Sequence, residues 1–283
     1  MDNRVDAHTH LFAPAQIAAR VALSERDPTF AELYADPRAK LADAPALRTA
    51  LDRAGIGRAV AAGFAFASPR DLAEQAEYLL AVAAESNGAI AALPCLNLAD
   101  PGWERDARRW LARGARGFGE LRPGNQGWDP LGPEAIRLAH LAAESGAVLL
   151  WHVSEPLGHA YPGKRGGIGP IELAELAARA PSARMVAAHL GGGLSFYLQM
   201  PEVRRAIENI YFDTAAAFLL YDEWSVARLV DLAGPGRVLF GSDFPLLAPR
   251  RQLERILAGL PPATAPGVCG GNAATLYFGL PSE

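Results

Sequence analysis

The stretch Asp6-Ala7-His8-Thr9-His10 decides how this chain is read. It follows Arg4-Val5 and reads as the end of a first β-strand. Residues two apart on a strand face the same way. His8 and His10 therefore aim two imidazoles at one point, which is what a divalent ion needs from its first two ligands. The rest of the chain can be searched for the others.

Working outward, short apolar strands at 4–8, 59–64, 90–96, 117–121, 148–152, 184–189, 210–213 and 238–241 alternate with helix-like stretches at 45–54, 69–86, 103–113, 134–145, 170–180, 194–208, 222–232 and 251–257. Several helices open on Pro or Asp, and Gly55, Gly88, Gly114 and Gly146 mark helix ends. Eight strands, each followed by a helix, predict an α/β fold with a parallel sheet buried on both faces. Closed on itself, this is a single-domain (β/α)8 TIM-like barrel, and 283 residues is near the usual length of about 250. The excess falls at about 13–44 and 154–169, expected as loop insertions after strands one and five. An open doubly wound sheet would want a glycine-rich phosphate turn after strand one, and Thr9-His10-Leu11-Phe12 is not one.

In such a barrel the chemistry sits at the C-terminal ends of the strands. Strand four ends in Glu120 and Arg122, strand five in Trp151-His152, strand six in His189 before three glycines, strand seven in Asp213-Thr214 and strand eight in Gly241-Ser242-Asp243. Four of the six histidines thus fall at strand ends. With Glu120 and Asp243 they make a candidate site for one or two zinc-like ions, manganese being an alternative for the same donors. Taken singly, each residue also has an ordinary structural reading: Asp243 as a helix N-cap, Glu120 as a rim ion pair, His189 as a cap on the glycine turn. The case rests on the set.

Bulk properties narrow the partners. A net charge of −4 gives no reason to expect nucleic acid or an anionic membrane. Cys95 and Cys269 lack metal-type spacing, so a reducing compartment is expected. No apolar run is long enough to cross a bilayer, and His8 comes too early for a secretory leader. A cytoplasmic protein with a small-molecule substrate is the expectation, and a homodimer is an expectation by analogy only.

The opening Asp-Ala-His-Thr-His, the histidine ending strand five, Ala-His-Leu-Gly-Gly-Gly at 188–193, Gly-Ser-Asp-Phe-Pro at 241–245 and the closing Gly271-Asn272-Ala273-Ala274-Thr275-Leu276-Tyr277-Phe278 together resemble the amidohydrolase superfamily. The nearest branch is the amidohydrolase-2 group related to 2-amino-3-carboxymuconate semialdehyde decarboxylase. The resemblance implies a metal held by His8, His10, His152 and Asp243, with His189 near the reacting atoms. One departure stands out. Glu120, in Gly-Phe-Gly-Glu-Leu, is similar to the TatD-like branch, where a strand-four Glu bridges two metals. Other relatives use a carboxylated lysine there, but the only lysines, Lys40 and Lys164, are far from strand four.

Glu120 tips the sequence reading toward a metal-dependent hydrolase. A bound metal lowers the pKa of water from 15.7 to about 7. Asp243 takes the proton, and His189 or the metal polarises a carbonyl or phosphoryl centre. The alternative is non-oxidative decarboxylation of a small carboxylic acid. A barrel that binds a ligand without turnover is a weaker third, because gathering six polar groups on a partly buried rim is costly. Arg122 is a candidate substrate clamp. Tyr161 and Lys164, on a lid-like 154–169 loop, and the aromatic wall residue Trp151 are further substrate-binding candidates.

Overall fold

The structure, a computed structural model, describes residues 3–280. Eight strands run in chain order: β1 (Val5–His10), β2 (Arg58–Ala62), β3 (Ile90–Leu93), β4 (Gly117–Leu121), β5 (Val148–Trp151), β6 (Arg184–Ala187), β7 (Ile210–Asp213) and β8 (Val238–Leu239). All neighbouring ladders are parallel, in the orders β1-β2-β3 and β4-β5-β6-β7-β8. Backbone hydrogen bonds close both seams. Arg116 N and Gly119 N donate to Ala92 O and Pro94 O at 3.0 and 3.1 Å, and Ala7 N donates to Phe240 O at 2.7 Å. The sheet therefore closes as a (β/α)8 barrel with no free edge.

Two apolar layers hold it. Inside, small and branched residues such as Val5, Val60, Val148, Leu150, Val186 and Leu239 pack together with Leu276 and Tyr277 of the C-terminal helix Asn272–Phe278. Outside, the opposite faces of the strands meet the surrounding helices around Phe118, Leu149, Trp151, Met185 and Phe212. This alternation gives a parallel sheet apolar on both faces.

The helices expected at 45–54, 69–86, 103–113, 134–145, 170–180, 222–232 and 251–257 are present with ends shifted by a few residues. The stretch 194–208 is different. Residues His189–Gln199 form irregular 3-10 turns, with Leu190 to Gly193 all at positive φ, and only Pro201–Ala206 is α-helical. Pro201 cannot continue a helix from before it, and the left-handed run cannot begin one. Residues 13–44 hold three short helices, Pro14–Ala18, Arg20–Arg26 and Pro28–Tyr34, which pack Phe30 into the outer core.

Candidate metal centre

Strand parity determines which side chains reach the barrel mouth. In β5 Val148 and Leu150 point inward, so His152 follows them and Trp151 does not. In β1 the ladder slips between Asp6 and Thr9, so that His8 and His10 turn inward although Val5 and Ala7 already do. After β8, Leu239, Gly241 and Asp243 continue one inward row. Gly241 is required there, because a Cβ would stand 2.7 Å from the Cβ of His8.

The six residues meet. His8 Nε2 lies 3.0 Å from His10 Nε2, which is 3.6 Å from Asp243 Oδ1. Glu120 sits between the two groups: Oε1 is 2.8 Å from His152 Nδ1, 3.2 Å from His189 Nε2 and 3.8 Å from His8 Nε2, while Oε2 is 3.8 Å from His10 Nε2. His189 Nε2 is 3.1 Å from His152 Nδ1. Two triads, His8/His10/Asp243 and Glu120/His152/His189, each hold their donor atoms within 4.8 Å of one another.

The tautomers show what this cluster fits. His152 Nε2–H donates to Gly163 O at 2.8 Å, and His189 Nδ1–H donates to Ala215 O at 3.0 Å. His8 Nδ1–H donates to Asp213 Oδ2 at 2.7 Å. A neutral ring with one nitrogen so committed presents a lone pair on the other. Lone pairs about 3 Å apart and beside a carboxylate repel unless positive charge lies among them. Histidines oriented by carbonyl and carboxylate acceptors are the usual support of metal ligands, and this nitrogen–oxygen set suits zinc or manganese. The residues present fit a divalent ion.

Without an ion, protons supply that charge unevenly. Burial opposes a charge on His8, but Asp213 outweighs it and raises the pKa to about 10. Burial likewise opposes a charge on His189, which its hydrogen bond to Glu120 raises to about 9. His10 and His152 are lowered, chiefly by burial. Burial alone would raise Glu120, yet the surrounding imidazoles, His152 foremost, hold it well below the usual carboxylate range. Asp6, behind the cluster, is pushed up to about 7 by burial.

Above the cluster lies a cavity of about 390 Å³. His10, Glu120, His152, His189 and Asp243 line it together with an apolar wall that includes Leu33, Tyr34, Phe64, Leu219 and Leu246. Of the expected substrate-binding residues, Arg122 and Tyr161 reach this cavity. Arg122 is buried, and its Nη2 donates to Gly163 O and Arg165 O at 2.9 and 2.8 Å. The Tyr161 hydroxyl donates to Glu155, which also accepts from Tyr221. Two expectations are corrected. Trp151 is fully buried between sheet and helices beside Trp128, because its strand parity points it outward. Lys164 caps its own loop by donating to the carbonyls of Leu157 and His159 and is not among the residues that line the cavity, although its ammonium stands 5.5 Å from the Tyr161 ring.

Sequence reasoning named Asp213 as a strand end without giving it a role. It accepts from His8 through Oδ2 and from the backbone N–H of His189 and Ala215 through Oδ1. Its place at a strand end beside four others was the available signal. Nothing in the sequence pointed to Lys40, Tyr34 or Leu219 as cavity residues.

A parallel barrel carrying histidines and carboxylates at its C-terminal mouth has its polar cluster where barrel enzymes place their active sites. The Amidohydro_2 family of amidohydrolases matches residues 5–279, and the chain belongs to that family. Three solved structures are similar to it. The 5-carboxyvanillate decarboxylase of Sphingomonas paucimobilis has a TM-score of 0.77 at 16% identity, over 98% of this chain and 99% of that one. The 2,6-dihydroxybenzoate decarboxylase from Rhizobium has a TM-score of 0.73 at 16% identity, over 98% and 99%. The manganese-bound 5-carboxyvanillate decarboxylase of Novosphingobium aromaticivorans has a TM-score of 0.74 at 16% identity, over 98% and 96%. At this identity the likeness establishes the shared fold. No curated protein matches the chain by sequence. No helix among the described residues is long and apolar enough to cross a membrane.

Proposed function

We propose that this protein is a metal-dependent, non-oxidative decarboxylase of a small aromatic carboxylic acid. This departs from the hydrolase favoured by the sequence alone. The observation that carries it is the composition of one cavity: a metal-fitting floor, a buried arginine on the wall and a lining that is otherwise mostly apolar, with Lys40, His159 and Tyr161 as its further polar members. The volume suits a single substituted ring. Three similar barrels are named for decarboxylation of hydroxylated or methoxylated benzoates, and one of them holds manganese, which supports the same assignment.

His8, His10, His152 and Asp243 would hold the ion, zinc or manganese. A bound ion supplies Lewis acidity that binds and neutralises substrate oxygens. The chain does the rest. Leu33, Tyr34, Phe64 and Leu219 exclude water from the ring, and the Arg122 guanidinium adds positive charge at the wall. His189 Nε2, 3.2 Å from Glu120 Oε1 and outside this ligand set, would hold a proton near the cavity. Transfer of that proton to the carbon bearing the carboxylate is followed by cleavage of the carbon–carbon bond. Its electron pair stays with the ring, and carbon dioxide leaves.

Hydrolysis is the second reading, and Glu120 favours it. Lying between two triads, it could bridge two ions, and the His189 proton would then be displaced. The test is elemental analysis of protein purified without added metal, followed by a screen of hydroxybenzoates for bicarbonate release and of esters and lactones for hydrolysis. About one equivalent of metal with carbon dioxide release is the expected result. Two equivalents with lactone or ester turnover would replace decarboxylation by hydrolysis.

A further inference from the structure

The segment 154–169 is held as a strap across the barrel mouth. Its neck is closed by a Val153–Ile168 bridge, with Ile168 N donating to His152 O at 2.9 Å. Its start is tied by Glu155, which accepts from Tyr161 and from Tyr221 outside the strap at 2.7 and 2.6 Å. Farther along, Gly163 N donates to Glu32 at 2.8 Å, and Asn125 N donates to Gly166 O at 3.1 Å. The tightest convergence is on a single backbone atom. Gly163 O accepts from His152 Nε2 at 2.8 Å and from Arg122 Nη2 at 2.9 Å, and the same Nη2 donates to Arg165 O at 2.8 Å.

We propose that Arg122 is a positioning residue for the metal ligand His152, acting through the carbonyl of Gly163. The inference rests on the ion-binding reading of the cluster and not on which reaction the ion serves. Its physical basis is the tautomer. His152 offers Nδ1 to the cluster only while Nε2 carries the proton, and Gly163 O, at 2.8 Å, is the nearer of the two acceptors that hold it there, Ser154 Oγ lying at 3.2 Å. That carbonyl has no side chain to fix it in place. The guanidinium fixes it by holding the carbonyls of residues 163 and 165 on one nitrogen, a geometry that a planar, permanently charged group maintains well. Gly163, at φ +86°, lets the backbone turn its carbonyl inward, and a Cβ there would come within 3.1 Å of Leu33. Arg122 is buried and forms no ion pair among the described residues, and its Nη2 is held by these two carbonyls. Ion binding and the seating of the strap are therefore one event: an ion that fixes His152 also fixes Gly163, and a seated strap presets His152.

The experiment compares wild type, Arg122→Met and Arg122→Lys, each stripped with a chelator and titrated with Zn2+ and Mn2+ in competition with an indicator, with no substrate present. Losing the support of a ligand histidine costs about 10- to 100-fold in metal affinity, and that loss is expected for Arg122→Met. Arg122→Lys, which keeps a donor and the charge but not the fork, should recover part of it. The visible spectrum of the Co2+-loaded protein should change in Arg122→Met, because the coordination geometry changes. Ion loading should also protect the bonds after Lys164 and Arg165 from trypsin in wild type and fail to do so in Arg122→Met. If Arg122→Met does not fold, Arg122→Lys carries the test. Affinity within twofold of wild type with an unchanged Co2+ spectrum, in whichever variant folds, overturns the proposal even if the substrate KM rises, since a substrate clamp alone gives that pattern. A wild-type chain that binds neither ion overturns the ion-binding reading itself, and the proposal with it.

Discussion

Asp213 does not line the cavity, yet three groups of the site depend on it. Its carboxylate is fully buried and accepts from His8 Nδ1, which leaves His8 Nε2 as the lone pair facing His10 and Glu120. An amide is nearly isosteric, but it can turn an N–H toward Nδ1. The imidazole would then adopt the other tautomer and present a proton where the ion needs a lone pair. Asp213→Asn should fold and lose about 10- to 100-fold in Zn2+ or Mn2+ affinity. Chelator competition on the purified variant measures it, and unchanged affinity would show that His8 does not need its carboxylate. The backbone N–H bonds from His189 and Ala215 remain possible to the amide oxygen, so the left-handed turn at 189–193 should persist, visible as an unchanged circular dichroism spectrum.

At the scale of elements, the left-handed turn from His189 to Gly193 aims His189, and the 3-10 turns that continue it to Gln199 stand where the first part of the helix expected at 194–208 would lie. Gly191 sits at φ +71°, and a Cβ would come 2.8 Å from the Phe212 ring; Gly193, at φ +92°, has open space around it. Both positions impose backbone strain on alanine, about 1–3 kcal/mol, but only Gly191→Ala adds a clash in the core between β6 and β7. Urea unfolding of the metal-loaded variants should show Gly191→Ala less stable than Gly193→Ala, and equal losses would refute the steric part. The strands were legible because apolar runs between turn signals recur at regular spacing and their polar ends coincide with histidines. The short helices of 13–44 were not legible. Five to seven residues each is too few for a 3.6-residue period to emerge. The convergence of histidines and carboxylates was readable from residue types at strand ends, and Trp151 was misassigned because strand parity, not proximity to His152, decides which way it faces. The partners of Lys164 and Arg122 could not be read, because they are backbone carbonyls, and any residue can supply one.

For the molecule as a whole, the closed sheet forces four imidazoles into one buried volume with Glu120, Asp213 and Asp243, and this ties stability to pH when no ion is bound. An unfolded histidine titrates near 6.5. In the folded chain His189 is raised to about 9 by Glu120 against burial, and His8 to about 10 by Asp213 against burial. Between 6.5 and those values the folded state keeps protons that the unfolded state has released, so stability must fall as pH rises. The contribution is complete below about 6.5 and is lost through pH 9–10. His10 and His152, lowered by burial, are neutral throughout this range and add nothing to it. A bound divalent ion held by His8 supplies the charge there without a proton and removes the His8 share of the dependence, while the proton on His189, outside the proposed ligand set, keeps its share. Thermal midpoints taken at pH 7, 8.5 and 10 should fall more steeply in chelator than with Zn2+ or Mn2+ present. If the chelated protein is equally stable at all three, the cluster does not rely on imidazolium charge. If the decline is the same with and without metal, the ion does not sit among these residues.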